Sequence, residues 1–245
     1  MTSESLSDRI KIVLIDTSHP GNIGAAARAM KTMQLGRLAL VTPNDYPSAE
    51  ATSRASGADD VLARAQICET VEEAIADCQL VMGTSARLRS LRWPQLNPRE
   101  SAERVAQEEG EGSIAILFGR ERTGLTNDEL ALCHFLVNIP ANPEYSSLNI
   151  AAAVQIITYE LMMQGRGEPQ KQGEELGELP VEQAEMERLY GHFESALVDL
   201  DFLDPENPKH LMLRLRRLFN RVRMTRNEVN IMRGILTAAQ KCCRK

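Results

Sequence analysis

The sequence predicts an α/β fold: a parallel sheet covered by helices on both faces, followed by a small all-α extension. Three observations carry that expectation. Short apolar runs rich in β-branched residues alternate with stretches of helical composition. Those runs are apolar on both faces, as strands buried between two helical layers require. The β signal stops after a glycine- and proline-bearing stretch that begins near residue 165.

The elements follow in order. Ile10 to Ile15 (IKIVLI) is a buried strand, and after the loop DTSHPGN the Ala- and Met-rich IGAAARAMKTM is a helix. Leu38 to Val41 is a strand closed by Pro43, and a helix is expected over roughly 49–65. QIC is a possible short strand, VEEAIADC a short helix, and Gln79 to Gly83 a strand. A basic loop, TSARLRSLRWPQLNP, precedes a charged helix over roughly 98–109. Ile114 to Gly119 is a strand as apolar as the first, and Thr126 to Glu129 has the spacing of a capping box. HFLVNI is the last strand, and a long helix is expected from about Leu148 to Met163, with Ser146 or Ser147 able to cap it. Residues 1–164 therefore form one α/β domain and 165–180 a linker. Residues 181–245 form a unit of three helices, the third capped by Thr225.

Composition narrows the class. With 245 residues, 43% hydrophobic and 25% charged, the chain is neither collagenous, disordered nor a membrane bundle. No apolar run reaches the length of a membrane span, and no signal peptide opens the chain. Five irregularly spaced cysteines, without a CxxC pair, fit a reducing cytoplasm, and no metal-ligand cluster is visible. The net charge of −6 hides an asymmetry. Residues 166–208 carry three basic and twelve acidic side chains, whereas residues 209–245 carry eleven basic and one acidic. A polyanion would sense that cationic terminus.

Three loops concentrate chemistry. Gly21-Asn22-Ile23-Gly24 follows a strand and opens a helix, where free N–H groups and the helix dipole favour an anion. Arg28 lies one turn beyond Gly24 on the same face, which would hold a guanidinium beside a bound phosphate. The same spacing also fits a solvated arginine with glycines serving only the turn. The segment is neither a P-loop nor a G-x-G-x-x-G fingerprint, so ATP and NAD readings lose their main support. After the strand IAILF comes Gly119-Arg120-Glu121-Arg122, at the strand end where parallel sheets place ligands, although a surface ion pair would give the same pattern. The third loop runs from Ile139 through two prolines to Ser146-Ser147-Leu148-Asn149. Its neutral, apolar-edged character suits an adenine or a ribose, and capping alone would also explain its serines.

Together the segments GNIGAAARAM, ILFGRERTGL and IPANPEYSSLN match in order the three motifs of the SPOUT superfamily of RNA methyltransferases. Within it, the chain most resembles bacterial tRNA 2′-O-methyltransferases acting in the anticodon loop. The resemblance implies a deep trefoil knot near the C-terminal end of the α/β domain and S-adenosyl-L-methionine as cofactor. By motif position the cofactor contacts fall on Thr84, Ser85, Ala86, Gly119, Ile139, Ser146, Ser147 and Leu148. The catalytic positions are Arg28, Ser147 and Asn149, supported by Asn22 and Glu121. The resemblance also implies a homodimer with a site completed across the interface, and tRNA methylated on the ribose of nucleotide 32, cytidine or uridine, as substrate.

In HLMLRLRRLFNRVR, Leu211, Leu215, Leu218 and Val222 form an apolar face beside Arg214, Arg217 and Arg221, widened by Arg216 and Arg223. A solvated helix surface fits this pattern, but the charge density points to an RNA backbone. Arg87, Arg89 and Arg92 in the basic loop are further RNA candidates, and Trp93 is either a base-stacking or a packing residue. His19 receives no role. The competing functions are a non-catalytic RNA-binding protein on the same fold, a methyltransferase acting on another RNA, and a generic nucleotide-binding α/β enzyme.

Overall fold

The computed structural model describes residues 6–86, 93–108, 112–165, 179–206 and 209–243. Seven strands form one sheet: β1 (Ile10–Ile15), β2 (Arg37–Val41), β3 (Gln66–Cys68), β4 (Cys78–Thr84), β5 (Gln95–Leu96), β6 (Ser113–Phe118) and β7 (Phe135–Val137). Their spatial order is β3-β2-β1-β6-β4-β7-β5, and every pairing is parallel. All strands therefore end at one edge, and the loops leaving β1, β4, β6 and β7 gather there.

Alternation along each strand divides the core. Ile10, Ile12 and Leu14 of β1, with Ile114, Ile116 and Phe118 of β6, face one layer, while Val13, Ile15, Ala115 and Leu117 face the other. In β4 the register shifts between Cys78 and Leu80, and these two residues fall on opposite faces despite their even spacing. The strand predicted to be apolar contains one charge. Lys11 is buried, and its ammonium is matched by Asp77 at 2.6 Å and by the Ala74 carbonyl at 2.9 Å.

On the first face pack α2 (Pro20–Thr32), α3 (Ala49–Ala55), α4 (Asp59–Ala63), α6 (Pro98–Ala106) and α8 (Ile150–Gly165); a single turn, α1 (Leu6–Arg9), precedes β1. The other face carries two one-turn helices, α5 (Val71–Ile75) and α7 (Asn127–Ala131). Helices α9 (Gln183–Asp199), α10 (Leu211–Val222) and α11 (Arg226–Cys243) enclose a core of their own around Leu189, Tyr190, Phe193 and Val229. Thr225 and Glu228 cap α11 reciprocally, as the threonine predicted. This helical unit docks on the second face. Ala184 N–H donates to the Ala76 carbonyl at 3.2 Å, and Asn220 donates to the Ala131 carbonyl at 2.8 Å.

Four local expectations change. The helix expected over 49–65 is two helices, because Ser56 and Gly57 both take positive φ, 46° and 93°. Helix α2 begins at Pro20 rather than after Asn22, since His19 is its N-cap and the proline needs no amide partner at the first position. The long helix starts at Ile150, and its first amides are capped by Asn149, not by a serine. Strand β5, two residues long, lies within the stretch expected as a basic loop and pairs with β7 at the sheet edge.

Candidate active site

The gathered strand ends enclose a cavity of about 200 Å³. Thr84, Ser85 and Ala86 from the β4 loop line it, with Gly119 to Gly124 from the β6 loop and Ile139, Ser146, Ser147 and Leu148 from the β7 loop. Phe118, Val137, Ile150 and Ala153 add apolar wall. All eight positions named from the resemblance as cofactor contacts thus share one cavity.

Local chemistry shapes each wall. Thr84 Oγ1 donates to the Leu117 carbonyl at 2.9 Å, and Ser85 N–H donates to the Val137 carbonyl at 3.0 Å. Asn138 Nδ2 returns a bond to the Ser85 carbonyl at 2.8 Å, so the β4 and β7 loops hold each other. Gly119 is required because a Cβ there would collide with the backbone of Gly124 and Leu125 where the loop folds back on its strand. Arg120 fixes that loop: its Nε donates to Asp16 at 2.8 Å, and its Nη1 donates to both oxygens of Glu129 at 2.9 and 3.1 Å.

A polar chain links the three motif loops. Asn149 Nδ2 donates to Asn22 Oδ1 at 2.9 Å, and Asn22 Nδ2 donates to Glu121 Oε1 at 3.0 Å. Ser18 adds its hydroxyl to Glu121 Oε2 at 3.1 Å. Burial would raise the Glu121 pKa, but these donors hold it below the usual carboxylate value, so the acceptor stays ionised. Ser147 and Glu121 line the cavity, whereas Asn22 and Asn149 are not among its lining residues.

Arg28 lies outside this cavity, exposed on α2. Packing accounts for Gly24, where a Cβ would overlap the Ala51 carbonyl of α3; a Cβ on Gly21 would meet only the side chains of Glu50 and His19. Sequence reasoning missed His19, whose Nδ1 accepts from Gly21 N–H at 3.2 Å, Asn138, and the pairing of Glu129 with Arg120 beyond its expected capping box. A helix start with Pro at its first position was the available signal for the histidine. Nothing local marks Asn138 or Glu129 as partners of Ser85 and Arg120.

The arginines of α10 and of its C-cap, Arg223, divide. Arg216 pairs with Glu187 at 2.5 Å and lies 4.6 Å from the Tyr190 ring centre. Arg223 is nearly buried, paired with Glu108 and donating to the Gln79 carbonyl at 3.2 Å. Arg217 lies 5.6 Å from the Trp93 ring centre, and Trp93 is a packing residue in the core of the second face. Arg214 and Arg221 are exposed, and Arg214 lines a cleft with Phe202, Lys209 and His210. Arg87, Arg89 and Arg92 lie outside the described residues. Among the described residues, no group of three or more His, Cys, Asp or Glu side chains could hold a metal, and no helix is long and apolar enough to cross a membrane.

Residues 9–159 match the SpoU rRNA Methylase family, and residues 184–245 match the tRNA methyltransferase TrmJ C-terminal domain. The chain belongs to the SpoU rRNA Methylase family. Within it, the chain is 50% identical over 246 residues to the tRNA (cytidine/uridine/adenosine-2′-O-)-methyltransferase TrmJ of Pseudomonas aeruginosa, covering 97% of this chain and 96% of that protein. The tRNA (cytidine/uridine-2′-O-)-methyltransferase TrmJ of Photorhabdus laumondii is 47% identical over 239 residues, covering 97% and 99%. The crystal structure of TrmJ from Z. mobilis superposes with a TM-score of 0.83 at 36% identity, covering 93% of this chain and 97% of that one. The cavity and the Asn149–Asn22–Glu121 chain both lie within the SpoU methylase match, and the docked helices fall in the TrmJ C-terminal match.

Proposed function

We propose that this chain transfers a methyl group from S-adenosyl-L-methionine to the ribose 2′-oxygen of nucleotide 32, cytidine or uridine, in the anticodon loop of tRNA. Its near full-length likeness to proteins named as tRNA 2′-O-methyltransferases supports the reaction class. The observation that carries the reading is the hydrogen-bonded chain from Asn149 through Asn22 to Glu121, which joins the three motif loops and reaches a cavity of mixed polarity at Glu121.

The residues present fit the cofactor. Phe118, Val137, Ile139, Leu148 and Ile150 offer apolar wall for an adenine, and the hydroxyls of Thr84, Ser146 and Ser147 with neighbouring peptide groups offer partners for a ribose and an amino acid. Thr84, Ser85, Ala86, Gly119, Ile139, Ser146, Ser147 and Leu148 would hold it. When bound, it supplies a methyl group on a sulfonium, a good leaving group. The weak partner is the 2′-hydroxyl, which needs alignment. A guanidinium is a hydrogen-bond donor without an acceptor site, so Arg28 anchors an RNA phosphate and orients the hydroxyl rather than acting as a base. Ser147 and Asn149 position the ribose, and Asn22 and Glu121 hold Asn149 in place. Orientation of this kind contributes several kcal/mol, on the order of 7 or more in the best cases.

Arg28 reaches the site from a second subunit of a homodimer. Exposed Tyr159 and Met163 on α8 support an interface there. The strand order, with β6 inserted between β1 and β4 and β7 returning beyond β4, is compatible with a knotted C-terminal half of the domain. Residues 1–164 would carry the chemistry, 165–180 link, and 181–245 grip tRNA through exposed cations such as Arg214 and Arg221, with Arg87 and Arg89 as further contacts. The test is transfer of labelled methyl groups to total tRNA, with ribosomal RNA as a parallel arm. Label in tRNA is expected, and label only in ribosomal RNA would replace the substrate.

A further inference from the structure

The polar contacts between the helical extension and the α/β domain include one side chain with no exposure to speak of. Asn220 of α10 is 2% exposed, and both ends of its amide are used. Its Oδ1 accepts from the Tyr190 hydroxyl at 2.7 Å, and its Nδ2 donates to the Ala131 carbonyl at 2.8 Å. Ala131 is the last residue of α7. That one-turn helix is closed at its other end by the Thr126–Glu129 capping box. Glu129 in turn accepts both bonds from Arg120 Nη1, and Arg120 and Glu121 line the cavity.

An unbroken set of bonds therefore runs from the core of the extension, through a five-residue helix, to the cavity wall. Such a short helix has almost no stability of its own. Leu130 buries it in the core of the second face, and its two ends are held by the Asn220 bond and the Arg120–Glu129 pair. The same α10 carries Arg214 and Arg221 on its exposed face. A shift of α10 when its cations meet a polyanion would be transmitted to α7 and then to the loop bearing Arg120 and Glu121.

We propose that Asn220 is a positioning residue for methyl transfer: it fixes α7 so that the β6 loop is correctly placed in the cofactor cavity, coupling the extension to that cavity. This rests on the cofactor reading above. Leaving the buried Ala131 carbonyl without its donor is costly, and a shift of α7 is one way to relieve that cost.

The experiment measures S-adenosylmethionine affinity by calorimetry in full-length wild type, Asn220→Ala, Glu129→Gln and the double variant, with thermal unfolding and tRNA affinity recorded in parallel. Each single variant should bind the cofactor about tenfold more weakly, with tRNA affinity held within about twofold. The double variant should be no weaker than the worse single one, because both act through one helix. Losses that multiply in the double variant would overturn the coupling, as would folded Asn220→Ala protein with wild-type cofactor affinity, or equal losses for cofactor and tRNA. Wild-type protein that binds no cofactor would instead overturn the reading of the cavity, so the two failures are separable.

Discussion

Asn149 and Asn22 are hydrogen-bonded at 2.9 Å although they stand 127 positions apart. The bond places the loop after β7 against the N-terminal turn of α2. Asn149 has a second duty, since its Oδ1 accepts from Ala151 N–H at 2.9 Å and so caps α8. Asn149→Ala should therefore lower stability by about 1 kcal/mol through the lost cap. It should reduce kcat by more than tenfold, and Asn149→Ser, which keeps the cap, should restore stability but not kcat. Thermal unfolding and steady-state kinetics separate the two effects.

Arg28→Ala should reduce turnover by about 100-fold or more while S-adenosylmethionine affinity changes less than about twofold, because Arg28 is no part of the cavity wall. Single-turnover methylation and calorimetry on one preparation give both numbers. A variant retaining a large share of wild-type turnover would remove Arg28 from the chemistry.

Gly24→Ala tests the packing role of the glycine. Its new Cβ would overlap the Ala51 carbonyl, and α2 and α3 would have to separate. Overpacking of this kind costs about 1–3 kcal/mol. The expected result is a clear fall in Tm; an unchanged Tm would mean that the two helices part easily.

His134 gives the fold a pH dependence. Burial first, and the charge of Arg223 second, push its imidazole down to about 3, while its Nδ1 accepts from Val81 N–H at 3.0 Å. The unfolded residue titrates near ~6.5, so below that pH the unfolded chain binds the extra proton and the folded chain does not. Stability attached to this group is thus present above pH ~6.5 and is lost as pH falls toward 3, by at most about 1.4 kcal/mol per unit. Asp77, held at about 2, adds a loss only below its unfolded value near ~3.9. Denaturant melts at pH 7 and pH 5 should differ in wild type, and His134→Gln should flatten the difference.

Arg214→Ala with Arg221→Ala should weaken tRNA binding and lower the slope of log affinity against log salt by about 2. Cofactor affinity should be unaffected. Arg216 and Arg223 behave differently because they are committed to Glu187 and Glu108, and their loss should appear first as a lower Tm.

Much of this architecture is legible in local sequence, and its limits have physical causes. Strands β1 and β6 announce themselves because burial on both faces leaves no polar alternation. The break at Ser56-Gly57 is a two-residue event inside an otherwise helical pattern, and β5 is too short to carry any period. The motif loops are legible as a set, through resemblance. Their joining through Asn149, Asn22 and Glu121 depends on strand order, which no window of sequence encodes. The arginines of α10 look alike in sequence. Only the docked position of the extension assigns Arg223 to Glu108 and leaves Arg221 to solvent.

The most direct measurement is nucleoside mass spectrometry of tRNA after incubation with this protein and methyl-labelled S-adenosylmethionine. The account predicts label on the ribose of nucleotide 32, as 2′-O-methylcytidine or 2′-O-methyluridine, and its absence with Arg28→Ala. Label on a base, or none in tRNA with active cofactor present, would contradict it.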